Sequence, residues 1–335
     1  MAKKTIKDTD YLSISARVRA MENDLLTEEQ FEQLIAARTD EDVAKLLQSF
    51  GYGELETRRP EALDAGLSAM RAAMLEDLAG GIPNAGDLDV FKIKYDYHNV
   101  KAMLKAEAMG IAPGGMLSDL GRVKPEELQE AQRGEDGGGL PGLLGEAAKE
   151  GREILDATRD PQLSDAALDK WYFRDLAAAA EQTGSGFLCG YVSLQTDAAN
   201  LRTLVRTLRM GKNEDFLRGV LFDGGSVSHE DLLRISAAKG GGLTELFALT
   251  PLERAAEAGA KALQGGALTE FEKRCDDALS GYLERSRLIP FGEAPVLAYF
   301  AALETEYTNL RIILMGRMAG VPADVIRSRL RAGAV

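Results

Sequence analysis

The sequence predicts an all-α protein, and its composition and periodicity both support this fold class. Of the 335 residues, 45% are hydrophobic but only 6% are aromatic, whereas β-sheets favour aromatic and β-branched side chains. Apolar residues recur at intervals of three and four in the stretches 60–81, 165–184 and 268–290, which is the pattern of an amphipathic helix. The apolar run Phe187–Leu194 resembles a strand, but it occupies a position that is helical in the other copies of the repeat described below, and we expect a helix.

A signature occurs three times along the chain, and it reads [DE]-x-x-N-[VL]-[KR]-x-[MLI]-[LV] with a glycine eleven residues after the Asn. Its acidic and Asn positions are one helical turn apart and therefore lie on the same helix face. Three matches at the same spacing indicate three copies of one unit. The signature residues are Asp96, Asn99 and Lys101 in the first copy, Asp197, Asn200 and Arg202 in the second, and Glu306, Asn309 and Arg311 in the third.

A second shared signal precedes each signature. An apolar residue is followed three positions later by an acid and five positions later by another apolar residue, starting at Leu26, Val123 and Val227. The two signals keep their order and nearly their separation, so each repeat is a unit of roughly 100 residues rather than a short solenoid repeat. The sequence thus predicts three similar helical lobes, at 1–112, 113–214 and 215–335.

The residues next to this second signal predict where three helices begin. Thr27 and Gln30 form a capping box, Pro125 suits the first position of a helix, and Ser228 can cap a helix together with Asp231. The glycine-rich stretches at 80–81, 134–145 and 240–242 end or link helices. Within the second of these, we expect the glycine run at 137–145 to be a flexible linker between lobes.

The charge balance excludes two classes of partner. Lys and Arg number 40 against 53 Asp and Glu, a formal net charge of −13, so the surface repels the phosphates of nucleic acids and anionic lipids. No stretch is apolar enough to span a bilayer, and the basic N-terminus lacks the apolar segment of a secretion signal. Cys189 and Cys275 form no CxxC pair; a disulfide between them is an alternative, but we expect both to be reduced and buried. The sequence predicts a soluble intracellular protein without direct membrane insertion.

A search for catalytic, cofactor and metal motifs finds none. The chain lacks GxxxxGK[ST], so it has no Walker-type nucleotide site, and no GxGxxG joins a strand to a helix. The two histidines, His98 and His229, lie outside any metal-binding spacing. A catalytic His98 would require one specialised lobe, since the other copies carry Ala and Thr at that position. We expect no catalytic residues, no cofactor and no metal.

The repeated acid and Asn allow two interpretations. They are either a structural polar pair that satisfies backbone groups in each lobe, or a set of polar groups that faces a partner. We favour the structural one, because catalytic carboxylates rarely occur in triplicate on one chain. Near the C-terminus, Arg327, Arg329 and Arg331 predict a short basic helix, which complements its own dipole or docks on an acidic partner.

Several segments resemble a known family, the C subunits of prokaryotic V-type (A-type) ATPases, which are relatives of the eukaryotic d subunit. These segments are DYLSISARVRAMENDLL at the start, FEQLIAARTDEDVAKLLQSFGYG after it, KYDYHNVKAMLKA in the first repeat, and FEKRCDDALSGYL and ETEYTNLRIILMG near the end. The resemblance extends over nearly the whole chain. Its main departure is the glycine-rich insert at 134–145.

The resemblance implies a funnel of three helical lobes with pseudo-threefold symmetry. It implies a non-catalytic central-stalk protein on the cytoplasmic face of the proteolipid ring, which receives the end of the shaft formed by the D and F subunits. Such a protein couples rotary proton transport to ATP synthesis or hydrolysis and binds no nucleotide. From the residues alone, a helical-repeat adaptor of another assembly and a helical enzyme built around His98 remain alternatives.

Overall fold

The fold is all-α, as the sequence predicts. The computed structural model describes residues 6–53, 55–133, 140 and 142–331, and within these ranges it contains α-helices and short 3-10 segments but no strand. The α-helices, in chain order, are α1 Leu12–Met21, α2 Glu28–Ala36, α3 Asp40–Ser49, α4 Pro60–Gly81, α5 Asp89–Met109, α6 Pro125–Arg133, α7 Leu143–Thr158, α8 Pro161–Thr183, α9 Gly186–Arg209, α10 Glu214–Val220, α11 His229–Ala237, α12 Leu243–Leu246, α13 Glu253–Leu263, α14 Leu268–Glu284, α15 Glu293–Met318 and α16 Ala323–Arg329.

The helices group into two compact units. Unit 1 combines Met1–Asn84 with Ser280–Val335, and unit 2 comprises Ala85–Leu279. In unit 1, α15 packs against α1, α2 and α4. Side chains along most of α15, such as Leu297 and Leu310, are buried. In unit 2, α5 packs against α7 and α8, while α9 packs against α8, α10 and α13. The helices that carry the repeated signature, α5, α9 and α15, are thus core elements of the units.

The three predicted helix starts are confirmed. Thr27 accepts a hydrogen bond from the Gln30 N–H in a capping box, α6 begins at Pro125, and Ser228 accepts a hydrogen bond from the Asp231 N–H. The stretch 187–194 is helical within α9, as expected from the repeat. Thr27 and Ser228 bind otherwise unpaired N–H groups of a first helical turn, and Pro125 suits such a turn because it has no N–H to leave unpaired.

The glycine of the signature ends its helix in the same way in all three copies. Gly110, Gly211 and Gly320 have left-handed φ angles of 66°, 66° and 67°. The N–H of the next residue then bonds to a carbonyl five positions back, at 2.8–3.1 Å, and the glycine N–H bonds to one three positions back. This is the Schellman motif, in which glycine avoids the steric cost that other residues meet at positive φ.

Part of the linker prediction is wrong. Residues 134–139 and 141 lie outside the described residues, but α7 already begins at Leu143, so the last part of the stretch 134–145 is helical. Leu144 is fully buried, and burying its side chain outweighs the low helix propensity of Gly145. At 240–242 the glycines separate α11 from α12, as predicted.

Candidate functional site

The three signature Asn residues make the same pair of contacts in every copy. Each side-chain amide donates from Nδ2 to the carbonyl of a residue after its helix and accepts at Oδ1 from the N–H of that same residue. These six hydrogen bonds measure 2.8–3.1 Å, and all three Asn residues are buried. The pairs are Asn99 with Ser118, Asn200 with Phe222 and Asn309 with Arg331.

The three signature acids bind the beginning of another repeat. Asp96 accepts the N–H of Val123 at 3.1 Å, Asp197 accepts that of Val227 at 3.0 Å, and Glu306 accepts that of Leu26. These N–H groups belong to the apolar residues that open the second, third and first copies of the upstream signal, respectively. Each acid is at most 4% exposed.

The order of these contacts along the repeats is cyclic. The first copy binds the start of the second, the second binds the start of the third, and the third binds the start of the first. Each contact lies within a single compact unit. The two signals found separately in the sequence are therefore the two halves of one hydrogen-bonded contact.

The cationic position of the signature follows the same order. Lys101 on α5 pairs with Asp169 on α8, Arg202 on α9 pairs with Asp276 on α14 at 2.7 Å, and Arg311 on α15 pairs with Asp64 on α4 at 2.6 Å. The helices α4, α8 and α14 are the periodic stretches identified in the sequence. Because these pairs are partly exposed, each adds about 1 kcal/mol or less to stability.

The acid of the first copy has a charged partner that sequence reasoning missed. Arg122 donates from Nε to Asp96 at 2.6 Å and from both terminal nitrogens to Asp175 at 3.1 and 2.6 Å. The hydroxyl of Tyr97 also donates to Asp175. Burial raises the pKa of Asp96, while the hydrogen bonds and positive charge of Arg122 oppose this. The second copy has Ser226 at the position of Arg122, so no repetition marks these residues in the sequence.

The other two acids are satisfied by neutral donors. Asp197 accepts from the N–H of Ser226 at 3.0 Å and from its hydroxyl at 2.6 Å, in addition to Val227. Glu306 accepts from the hydroxyl of Tyr52 and from the N–H of Leu26. The signature acid is therefore buried in all three copies, but the side chain that donates to it differs from copy to copy.

The backbone at Gly225 lies close to the carboxylate of Asp197, which provides a test of the contact between Asp197 and the backbone of residues 226–227. A Cβ added at Gly225 would lie 2.2 Å from Oδ1 of Asp197, whereas one at Gly219 on α10 would meet nothing within 4 Å. We expect Gly225→Ala to destabilise the protein by about 1–3 kcal/mol through overpacking. Gly219→Ala should cost nothing and can add up to about 1 kcal/mol, since Ala is the better helix former. Urea unfolding of both variants measures this, and equal stabilities would contradict the contact.

The Asn residues can be tested separately. Asn200→Ala should lower the free energy of unfolding by about 1–3 kcal/mol, because it leaves the N–H of Phe222 without its partner and removes one hydrogen bond from the Phe222 carbonyl. Gln182→Ala, at an exposed position on α8, is the control and should change stability little. If Asn200→Ala unfolds like the wild type but fails to join an assembly, the amide faces a partner instead.

The remaining candidates from the sequence lie apart from these contacts. His98 is exposed and its Nε2 lies 3.0 Å from the Met116 carbonyl, while Nε2 of His229 lies 2.9 Å from the carbonyl oxygen of Phe222. No described group of His, Cys, Asp and Glu is placed to hold a metal ion.

The two cysteines differ in their surroundings. Cys275 is buried, but Cys189 is only half-buried, which corrects the expectation for that residue. Burial raises the pKa of the Cys275 thiol to about 12, so this thiol is a poor nucleophile.

The basic C-terminal segment forms α16 and contacts the chain itself. Arg327 pairs with Glu32 at 2.9 Å, and the backbone of Arg331 holds Asn309. Across the residues that the structure describes, no helix is both long and apolar enough to cross a membrane.

The fold and its contacts define an all-α protein of internally repeated helical units whose shared polar residues link one repeat to another. The family described as ATP synthase (C/AC39) subunit matches residues 14–329. The chain therefore belongs to this family, the C subunits of V-type and A-type rotary ATPases.

Several relatives match over nearly their whole length. The C subunit of the V-type sodium ATPase of Enterococcus hirae is 23% identical over 323 residues, covering 96% of this chain and 98% of the relative. The C subunit of the V-type ATP synthase of Thermus thermophilus is 26% identical and covers 93% of this chain and 96% of the relative. The C subunit of the A-type ATP synthase of Methanocaldococcus jannaschii is 26% identical and covers 98% of this chain and 88% of the relative.

Proposed function

We propose that this chain is a non-catalytic coupling subunit of a V-type rotary ATPase or ATP synthase. It links the central shaft, formed by the D and F subunits, to the proteolipid ring on the cytoplasmic face of the membrane. In this role it turns with the rotor and passes torque between proton transport and ATP synthesis or hydrolysis. It contributes no active site, cofactor or nucleotide site of its own.

The observation that carries this proposal is the cyclic order of the contacts between repeats. Asp96, Asp197 and Glu306 each bind the opening residue of the following copy, and the third copy binds the first. A cyclic order of this kind supports three lobes, at 1–112, 113–214 and 215–335, arranged as a funnel with pseudo-threefold symmetry. Such a funnel offers one socket for a shaft and one rim for a ring.

The charge of the chain indicates how it would be held. A net charge of −13 opposes direct adsorption to anionic lipid and favours docking on basic protein surfaces. The attachment to the membrane complex would thus be made through protein partners. The nine signature residues would act within the chain, by setting the geometry of the lobes.

Co-elution tests the proposal most directly. The purified chain should bind a purified complex of the D and F subunits and should elute with it in size-exclusion chromatography. Calorimetry should detect no saturable binding of ATP at micromolar concentration, because the chain carries no phosphate-binding loop. Saturable ATP binding, or the absence of any complex with the D and F subunits, would contradict the proposed function.

A further inference from the structure

Unit 1 contains an open cavity of about 780 Å³, a volume within the range of ligand pockets. It lies between α4, α15, the segment that precedes α2 and the segment that follows α3. Its walls combine aromatic rings and methionine side chains with polar groups. The aromatic and methionine residues include Met21, Phe50, Met70, Met74, Tyr299 and Tyr307.

The cavity lining carries negative charge only. Among the described residues that line it, Asp24 and Glu306 are charged and none is Lys or Arg. Within the described part of the chain, neither carboxylate forms an ion pair. Arg71 lies over the ring of Tyr307, but its guanidinium pairs with Glu304 at 2.7 Å instead. Burial raises the pKa of Glu306, and a cation bound in the cavity would favour the charged form of this carboxylate.

Glu306 differs in this respect from its counterpart in the first repeat. Asp96 is held by the guanidinium of Arg122, whereas the donors to Glu306 among the described residues are the Tyr52 hydroxyl and the Leu26 N–H. A carboxylate oxygen has two lone pairs, so each oxygen of Glu306 retains one acceptor site. A buried carboxylate without a counter-ion is costly unless a cation pairs with it.

The aromatic walls favour a particular cation. Tyr52 and Tyr307 meet edge to face with ring centroids 6.3 Å apart, and Tyr299 and Phe50 complete the aromatic lining. Burial raises the pKa of Tyr299 to about 12, so its hydroxyl is neutral. A guanidinium group stacks on aromatic faces, pairs with carboxylates through two parallel hydrogen bonds and is more weakly hydrated than an ammonium group. The apolar part of an arginine side chain would pack against the methionines.

We propose that this cavity binds an arginine side chain of a partner protein, with Glu306 at its base and Asp24 nearer the solvent. The proposal uses only the charge and lining of the cavity, so it stands or falls separately from the proposed function. The partner supplies the counter-ion that Arg122 supplies to Asp96 in the first repeat.

The test uses n-butylguanidinium as the probe and the methionine methyl groups of the full chain as reporters. In ¹³C-methyl methionine NMR spectra, the signals of Met21, Met70 and Met74 should shift saturably as the probe is added. The exposed Met109 and Met210 should not shift. The neutral isostere n-butylurea and the lysine mimic n-butylammonium are the matched probes, and both should bind more weakly.

Two variants connect the binding to the carboxylates. Glu306→Gln keeps an acceptor for the Leu26 N–H but removes the charge, and it should weaken binding of n-butylguanidinium by about tenfold, as expected for a charge-assisted hydrogen bond. Asp24→Asn, at an exposed position, should weaken it by about threefold and remains informative if Glu306→Gln does not fold. No methyl shift, equal binding of n-butylguanidinium and either matched probe, or unchanged affinity in Asp24→Asn would overturn the proposal.

Discussion

Replacing Arg122 with methionine is expected to destabilise the protein by about 3–5 kcal/mol, the usual cost of removing one partner from a buried ion pair. Arg122 neutralises Asp96 and Asp175 together. Asp96 is fully buried, so its charge cannot be compensated by water in the variant. Methionine approximates the volume of the apolar part of arginine, and the effect therefore reports the loss of charge and hydrogen bonds rather than a cavity. Urea unfolding followed by circular dichroism measures the change.

The matched control is Arg234→Met. Arg234 pairs with Asp231 one turn away on α11, and its side chain is 70% exposed. Surface pairs of this kind contribute about 1 kcal/mol or less, so the control should stay close to the wild type. A similar small loss for Arg122→Met would show that the buried cluster is not required for the stability of unit 2.

The effect of Arg122→Met should also depend on pH. Burial already raises the pKa of Asp96, and without Arg122 that pKa rises further. A carboxyl whose pKa is raised in the folded state binds protons more tightly than it does in the unfolded chain, so stability is lost as pH rises from the unfolded pKa through the folded pKa. The destabilisation should therefore be smaller at mildly acidic pH than at neutral pH. A deficit that grows on acidification would contradict this explanation.

Sequence reasoning recovered the features of this fold that depend on local signals. The Thr27 capping box, the Ser228 cap and the start of α6 at Pro125 depend on residues within a few positions of one another. Their partners are backbone groups of the same helical turn, which the sequence specifies directly. The helical state of 187–194 needed the comparison between repeats, because apolar runs of this length suit strands equally well.

The partners of the signature residues could not be predicted in the same way. Asp96 and Val123 are 27 positions apart and Glu306 and Leu26 are 280 positions apart, and neither pair carries a local signal. Comparison between copies could not identify Arg122 as the partner of Asp96. Ser226 takes the position of Arg122 in the second copy, and the hydroxyl of Tyr52 binds Glu306 in the third. Each copy satisfies the same buried carboxylate with different chemistry, so the contact is repeated although the partner residues are not.

The proposed function predicts that leaving this protein out of the rotary complex abolishes coupling and leaves catalysis intact. In that role the chain would transmit torque only by binding two surfaces, one on the shaft and one on the membrane ring. Without it, the soluble catalytic sector would keep its nucleotide sites but would lose its mechanical connection to the ring. We therefore expect the sector to continue hydrolysing ATP, while hydrolysis no longer drives proton transport.

Reconstitution into vesicles with and without the chain tests this expectation. In the complex that lacks the chain, ATP hydrolysis should persist and should no longer respond to blockers of the membrane ring, and ATP-driven proton uptake should fall to the background level. Adding back the wild-type chain should restore both uptake and sensitivity to the blockers. Gln182→Ala should restore them equally, whereas Arg122→Met should restore them less well at temperatures where it unfolds. Proton uptake without the chain would exclude a coupling role, because torque would then reach the ring without it. Loss of ATP hydrolysis without the chain would also exclude that role, because the chain would then be needed for catalysis itself.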